Sequence, residues 1–146
     1  MTPTPKPTAR SKPKKRKPTS DWRRLCKKLD TIFSRFIRFR DRVEGDYCRC
    51  ISCGKFVHWK SLDNGHFIGR RFYYLRWNEK NCNAQCKYCN HRLEGNKAQY
   101  AKGLDVKYGS GTADKLEIVK SQKRPYNNVE MEALIKHYTV LVKEME

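Results

Sequence analysis

Acidic side chains are scarce in this sequence. Fifteen Asp and Glu stand against 33 Lys and Arg, and the formal charge is +18. A surface so one-sided calls for a polyanionic partner, with nucleic acid the first candidate and an anionic membrane the second. Long apolar runs are missing too. None approaches the ~18–20 residues that span a bilayer, and the polar, basic N-terminus carries no secretory signal. These absences point to a cytoplasmic protein. In a reducing compartment the seven cysteines argue for metal ligation rather than a disulfide framework, and the odd count leaves three spare if four are ligands. The 146 residues are enough for one compact domain.

Residues 1–20 hold five of the six prolines, seven basic residues and no acid. Such a segment cannot bury enough surface to offset its ordering entropy, and it reads as a disordered basic arm. Lys12 to Lys17 could grip phosphates or serve as an import signal; a solvated tail that raises non-specific affinity is the plainer reading. Ser20 is placed to cap a helix running to about Arg42. Trp22, Leu25, Cys26, Leu29, Ile32, Phe33, Phe36 and Ile37 give that helix one apolar face. Cys26 lies on that face and reads as a core residue. Glu44-Gly45-Asp46 ends the helix.

Two short strands are expected at Tyr47–Ile51 and Lys55–Trp59, and a further one ends at His66-Phe67-Ile68. Gly69 to Trp77 reads as a loop of interleaved arginine and aromatic residues, and Asn78 to Asn83 as polar and turn-like. A helix is expected from near Cys86 to about Lys102, with chain breaks at Gly103 and at Gly109–Gly111. A short helix from Thr112 to about Lys120 follows. Pro125 separates it from a last helix, about Asn128–Glu144, with Asn128 as its cap and acids in its first turn. The domain reading is a basic arm over 1–20, an amphipathic helix over 21–45, a core over 46–104 and a helical extension over 105–146.

The core is bounded by two C-x-x-C pairs, Cys50/Cys53 and Cys86/Cys89. Each pair lets two thiolates approach one ion from a tight turn, and two pairs make the closed tetrahedral site that suits structural zinc. The 32 intervening residues exceed a plain zinc ribbon, so the insert is a substantial loop or small subdomain held at both ends by the ion. Cys48 and Cys82 are nearby competitors and read as spares, since Cys48 would make only a C-x-C with Cys50. The insert carries Asp63-Asn64-Gly65-His66 at the end of a strand, and Asn81 and Asn90 flank the second pair.

Asn81, Cys86, Cys89 and Asn90 form an N-x4-C-x-x-C-N knuckle, and with Asp63 and His66 the sequence resembles the HNH (ββα-metal) nucleases. It is closer still to the lambdoid phage NinG (Rap) recombination-endonuclease family. The residues that carry the likeness are Arg40-Asp41-Arg42, Cys50-Ile51-Ser52-Cys53-Gly54, Asp63-x-Gly65-His66, Arg76-x-Asn78-Glu79-x-Asn81, Gln85-Cys86-x-x-Cys89-Asn90 and Gly95-Asn96. The resemblance covers roughly residues 29–142.

The resemblance implies an α+β fold: a small zinc-stapled ββα-metal core flanked by N- and C-terminal helices. It implies hydrolysis of phosphodiesters in branched recombination intermediates, with His66, Asp63, Asn81 and Asn90 as catalytic residues. Neutral His66 would take a proton from water, because imidazole titrates near working pH. Asn81 would orient it. Asn90 offers a hard amide oxygen for Mg²⁺ or Mn²⁺, with Asp63 a second ligand or an orienter of the site. His91 is an alternative ligand, expected to point away from the ion if Asn90 points towards it. Arg70, Arg71 and Arg76 are candidate phosphate clamps, or a generic basic loop. Trp77 is expected in the core, and Tyr73 and Tyr74 either stack on unpaired bases or pack inside. Asn96 would support the site or contact DNA. Branched DNA, a second copy of the chain and phage recombination proteins are the partners this reading admits, in a bacterial host cytoplasm. The alternative is a zinc-ribbon nucleic-acid-binding protein without catalysis. An RNA-binding structural protein would fit the basic arm but leaves the Asp63–His66 and Asn90 register unexplained.

Overall fold

The computed structural model describes residues 20–122, 124 and 126–146. The basic arm before Ser20 and the break at Pro125 lie outside the described residues. The first helix, α1 (Asp21–Arg40), is capped by Ser20, whose side chain accepts from the Arg23 N–H. It ends two residues before the expected limit, because Arg42–Glu44 forms a strand, β1, that turns back through Gly45 onto β2 (Tyr47–Arg49). β3 (Phe56–His58) pairs antiparallel with β2 and completes a small sheet. The buried face of α1 carries Cys26, Leu29, Phe33, Phe36 and Ile37, as the sequence pattern required. It packs along α5 (Asn128–Met145), with Phe33 and Phe36 against Tyr138 at ring separations of 4.9 and 4.8 Å. Cys26 sits in this core with its Sγ 3.9 Å from the Met131 sulfur. The cap of α5 is Asn127, one residue before the expected Asn128; its Oδ1 accepts from the Glu130 N–H.

A second sheet holds the candidate site. β4 (Leu62–His66) pairs antiparallel with β5 (Cys82–Cys86), from Leu62 opposite Cys86 to His66 opposite Cys82. β5 corrects the turn-like reading around Cys82 and Asn83. Its five residues are all buried although two of them, Asn83 and Gln85, carry polar amides. Buried polar groups persist mostly with partners, and all of these but Gln85 Oε1 have them among the described residues. Asn83 bonds Lys80 O and the hydroxyls of Tyr100 and Tyr108, while the Gln85 amide donates to Ser52 Oγ and Gly95 O. The loop after β4 contains a one-turn helix, α2 (Tyr73–Arg76). It sends Tyr73 edge-on to Trp22 at 5.1 Å and Trp77 into the α1–α5 core.

The single helix expected over 86–102 is two elements. A π-helical turn, Tyr88–Arg92, is followed by a left-handed run at Glu94, Gly95 and Asn96, with φ of 51°, 94° and 44°. Only then does α3 (Lys97–Tyr108) begin. Gly103 does not break it, and α3 crosses the expected 104/105 domain boundary. A Cβ at Gly103 would stand 2.0 Å from the Ile51 carbonyl oxygen, so glycine there lets α3 lie against the first cysteine knuckle. α4 (Thr112–Val119) closes a core of Phe67, Ile68, Leu75, Tyr100, Leu104, Ala113 and Leu116. Among the described residues no helix is long and apolar enough to cross a membrane.

Candidate metal centre and adjoining cleft

The first knuckle follows β2 and the second follows β5. The Ile51 N–H donates to Ala84 O at 3.0 Å and so ties the two sheets together at this point. The four sulfurs of Cys50, Cys53, Cys86 and Cys89 lie within 4.8 Å of one another, with Cys53 and Cys86 3.8 Å apart. Sulfurs placed tetrahedrally ~2.3 Å from one ion would be ~3.8 Å apart, so the donor set fits zinc, and this centre could hold one. Backbone N–H groups point at the sulfurs, Cys86 N to Cys50 Sγ at 3.3 Å and Cys89 N to Cys86 Sγ at 3.5 Å. Burial pushes the Cys50 thiol up, but N–H donors from Cys53, Cys86 and Ser52 outweigh it and hold the group below its ordinary value, favouring thiolate. The Asn96 amide donates to Cys89 Sγ at 3.5 Å. Cys48 and Cys82 stand apart and donate to the carbonyls of Arg38 and Arg76. Burial raises the Cys48 thiol to about 11 and Cys82 further, which keeps both protonated.

Beside this centre lies a cleft of about 720 Å³. It is lined by Asp30, Thr31, Ser34 and Arg38 of α1, Asp63, Asn64 and His66 of β4, Gly69 and Arg70 of the next loop, and Asn90 and His91 of the π-helical turn. His66, Asp63, Asn90 and Arg70 are thus brought together. His66 Nε2 lies 2.8 Å from Arg76 O. A carbonyl only accepts, so Nε2 carries the proton and Nδ1 keeps the lone pair. Burial pushes the imidazole below its ordinary value, and the charge of Arg70 acts in the same direction.

Asp63 Oδ2 accepts from Asn90 Nδ2 at 3.0 Å and meets His91 Nε2 at 2.9 Å, while Oδ1 takes Lys87 Nζ at 2.9 Å. Burial raises this carboxyl, but the Asn90 and Lys87 hydrogen bonds and the nearby charges hold it below the usual carboxylate range. His91 therefore does not point away from Asn90. The π-helical turn is wider than an α-turn and places consecutive side chains on the same carboxylate. Asn64, another lining residue, has a buried Oδ1 with no partner among the described residues.

Asn81 is not in the cleft. It is fully buried behind it. Its Oδ1 accepts from Ile68 N at 2.7 Å and its Nδ2 donates to Ile68 O and Leu75 O, while its own carbonyl takes Phe67 N. It pins the backbone directly after His66. Arg76 points inward too. Its guanidinium donates to Asp30 through Nε at 3.0 Å and Nη2 at 2.5 Å, with side-chain exposure of 15%. This ion pair occupies the group that the sequence offered to phosphates. Arg71 is exposed, lies over Phe72 and does not line the cleft.

Sequence reasoning passed over Asp30. Its Oδ1 also accepts from Trp77 Nε1 at 2.9 Å, so one carboxylate on α1 fixes both side chains flanking the carbonyl that holds His66. The available signal was an acid next to Leu29 in a basic helix whose other acid is the terminal Asp21. Arg38, on the same helix, also lines the cleft.

No solved structure matches the chain. Among curated proteins, Protein ninG of Escherichia phage lambda is 31% identical over 130 residues, which covers 88% of this chain and 59% of that protein. Protein ninG of Salmonella phage P22 is 30% identical over 130 residues, 88% of this chain and 60% of that protein. Protein ninG of Escherichia phage 933W is 33% identical over 102 residues, 69% of this chain and 47% of that protein. The chain thus spans 60% or less of the length of these relatives. The family model described as Bacteriophage Lambda NinG protein matches residues 3–146, nearly the whole sequence, and the chain belongs to that family.

Proposed function

We propose that the protein is a metal-dependent HNH endodeoxyribonuclease, acting on branched recombination intermediates such as a Holliday junction or D-loop. The observation that carries this reading is the convergence, in one cleft, of a half-buried imidazole whose Nδ1 keeps its lone pair, a carboxylate–amide pair and the cations Arg38 and Arg70. The β4–β5 pair followed by a helical turn has the order of a ββα unit. The preference for branched DNA rests on the motifs shared with recombination endonucleases.

Asp63 and Asn90 each carry a hard oxygen donor, the donor chemistry of magnesium or manganese; the Asn90 amide here turns its Nδ2 to Asp63 Oδ2, and rotating the amide would present its oxygen instead. Lys87 and His91 occupy the same carboxylate and would give way. When bound, such an ion supplies Lewis acidity toward the phosphate and the leaving oxygen. Neutral His66 takes a proton from water at Nδ1 as the water oxygen adds to phosphorus. One P–O ester bond breaks, and its electron pair leaves with the departing oxygen. The Arg76 carbonyl keeps the ring oriented throughout and stabilises the imidazolium that forms. Arg70, exposed at the cleft mouth, is placed to meet phosphate oxygens.

The test is cleavage of a synthetic four-way junction and a matched linear duplex with magnesium, manganese or chelator. Junction cutting that needs the ion and is lost in Asn90→Ala is the expected result. Equal cutting of duplex would remove the branched-DNA preference. Tight binding without cutting under either ion would leave the non-catalytic zinc-ribbon protein.

A further inference from the structure

The cleft occupies only one side of a strongly basic protein. A second concavity, of about 540 Å³, shares no residue with it and lies where the β1–β2 hairpin, the first cysteine knuckle and α3 meet. Part of its lining is apolar: Val43, Ile51 and Val106 contribute to it, and α3 lies close against the first knuckle at Gly103. Val106 and Val43 project into solvent, 89% and 61% exposed. Such surface on a folded chain is a common mark of a contact site. Its rim is cationic. Arg49 and Lys102 are exposed there, and the Arg49 guanidinium lies 4.6 Å over the half-exposed Phe56 ring. The one carboxylate among the lining residues is Asp41. It is 6% exposed and already bonded to Arg40 and Lys107, so it presents no negative charge outward.

We infer that this concavity is a second DNA contact. Sugars and bases of one strand cover Val43 and Val106, and the flanking phosphates meet Arg49 and Lys102. Charge decides the occupant. A second copy of the chain would bring its own +18 against this rim, whereas a nucleic-acid strand combines apolar faces with regularly spaced anions. Two separate contacts suit a branched substrate, because engaging both raises avidity beyond either alone. The inference requires DNA binding and not cleavage, so it stands or falls independently of the nuclease reading.

The experiment uses the full zinc-loaded chain and a fluorescent four-way junction across a salt series. The variants are the double substitution Arg49→Ala with Lys102→Ala, and chains carrying a benzophenone amino acid at position 106 or, as an exposed reference on α4, position 118. The double variant should bind at least about tenfold more weakly. The slope of log affinity against log salt should flatten by about 1.8, as two phosphate contacts are lost. Its cleavage rate at saturating DNA should match wild type within twofold. Position 106 should crosslink to DNA and position 118 should not. Unchanged affinity and salt slope would overturn the inference, as would crosslinks from position 106 to a second protein chain. If wild type cuts nothing, binding and crosslinking still decide this question while the nuclease reading fails.

Discussion

Asp41→Asn is the most informative perturbation of the scaffold behind the site. The Asp41 carboxylate is 6% exposed. It accepts from Arg40 Nε at 2.8 Å, Arg40 Nη2 at 3.2 Å, Lys107 Nζ at 2.7 Å and the Ala84 N–H at 2.8 Å. These bonds fasten the end of α1 and the last turn of α3 to β5, the strand that carries Asn83 and Gln85. Asparagine keeps the shape, removes the charge and turns two donors toward groups that are all donors. Removing one partner of a buried ion pair costs about 3–5 kcal/mol. The lower end applies here, because Asn83 Oδ1 also accepts from Arg40 and Lys107. With a urea m-value of about 2 kcal/mol/M, a loss of about 3 kcal/mol moves the midpoint down by about 1.5 M at unchanged slope.

The pH dependence of this contribution has a definite sign. Burial raises the Asp41 carboxyl, and the hydrogen bonds and charges of Arg40 and Lys107 outweigh burial and hold it low. A depressed carboxylate contributes stability that is present above its unfolded value of about 3.9 and is lost as pH falls through the folded value. The difference between wild type and Asp41→Asn should therefore be full at pH 7 and shrink only below about pH 4. Loss of metal at low pH affects both proteins and leaves the difference interpretable. Urea unfolding followed by circular dichroism, with zinc present, measures it. A difference below about 1 kcal/mol at pH 7 would refute the assignment of this cluster as a structural clamp.

Other consequences follow from single contacts. Gly103→Ala places a Cβ against the Ile51 carbonyl, which no rotamer change relieves; it should cost about 1–3 kcal/mol by overpacking and weaken zinc affinity, read by denaturation and a competing chelator. The four-cysteine centre could hold zinc, and stripping the ion would remove the tie between the two knuckles, so circular dichroism should show loss of most of the β signal, recovered on adding zinc back. Asp30→Asn loosens the side chains around the carbonyl that holds His66; single-turnover cleavage should slow by about tenfold or more while DNA affinity stays within twofold, since small displacements of a base are costly. Because burial lowers His66, the cleavage rate should rise with pH and reach half its plateau below about 6.5; a midpoint above 7 would contradict the neutral-base role.

Much of this arrangement was legible in the sequence because local rules governed it. The apolar stripe on α1, the C-x-x-C pairs and the cap at Ser20 each carry their own signal within a few residues. β5 did not, because its polar side chains are satisfied by partners up to 43 residues away, such as Arg40 on Asn83. Gly95 falls inside the helix expected from near Cys86 to about Lys102, yet three consecutive left-handed residues divide that segment. Helical spacing placed His91 away from Asn90, and a π-turn overrode it. Arg76 read as a phosphate clamp because its partner Asp30 lies 46 residues earlier. The family resemblance pointed to His66, Asp63 and Asn90, but α1 as the opposite wall of the cleft is a tertiary fact.

The most direct measurement is single-turnover cleavage of a four-way junction by wild type and His66→Ala, with zinc content and DNA affinity determined on the same preparations. The account predicts that His66→Ala retains its zinc and its affinity and loses at least about a hundredfold in rate, the scale of general-base catalysis. Equal rates for the two proteins would contradict it.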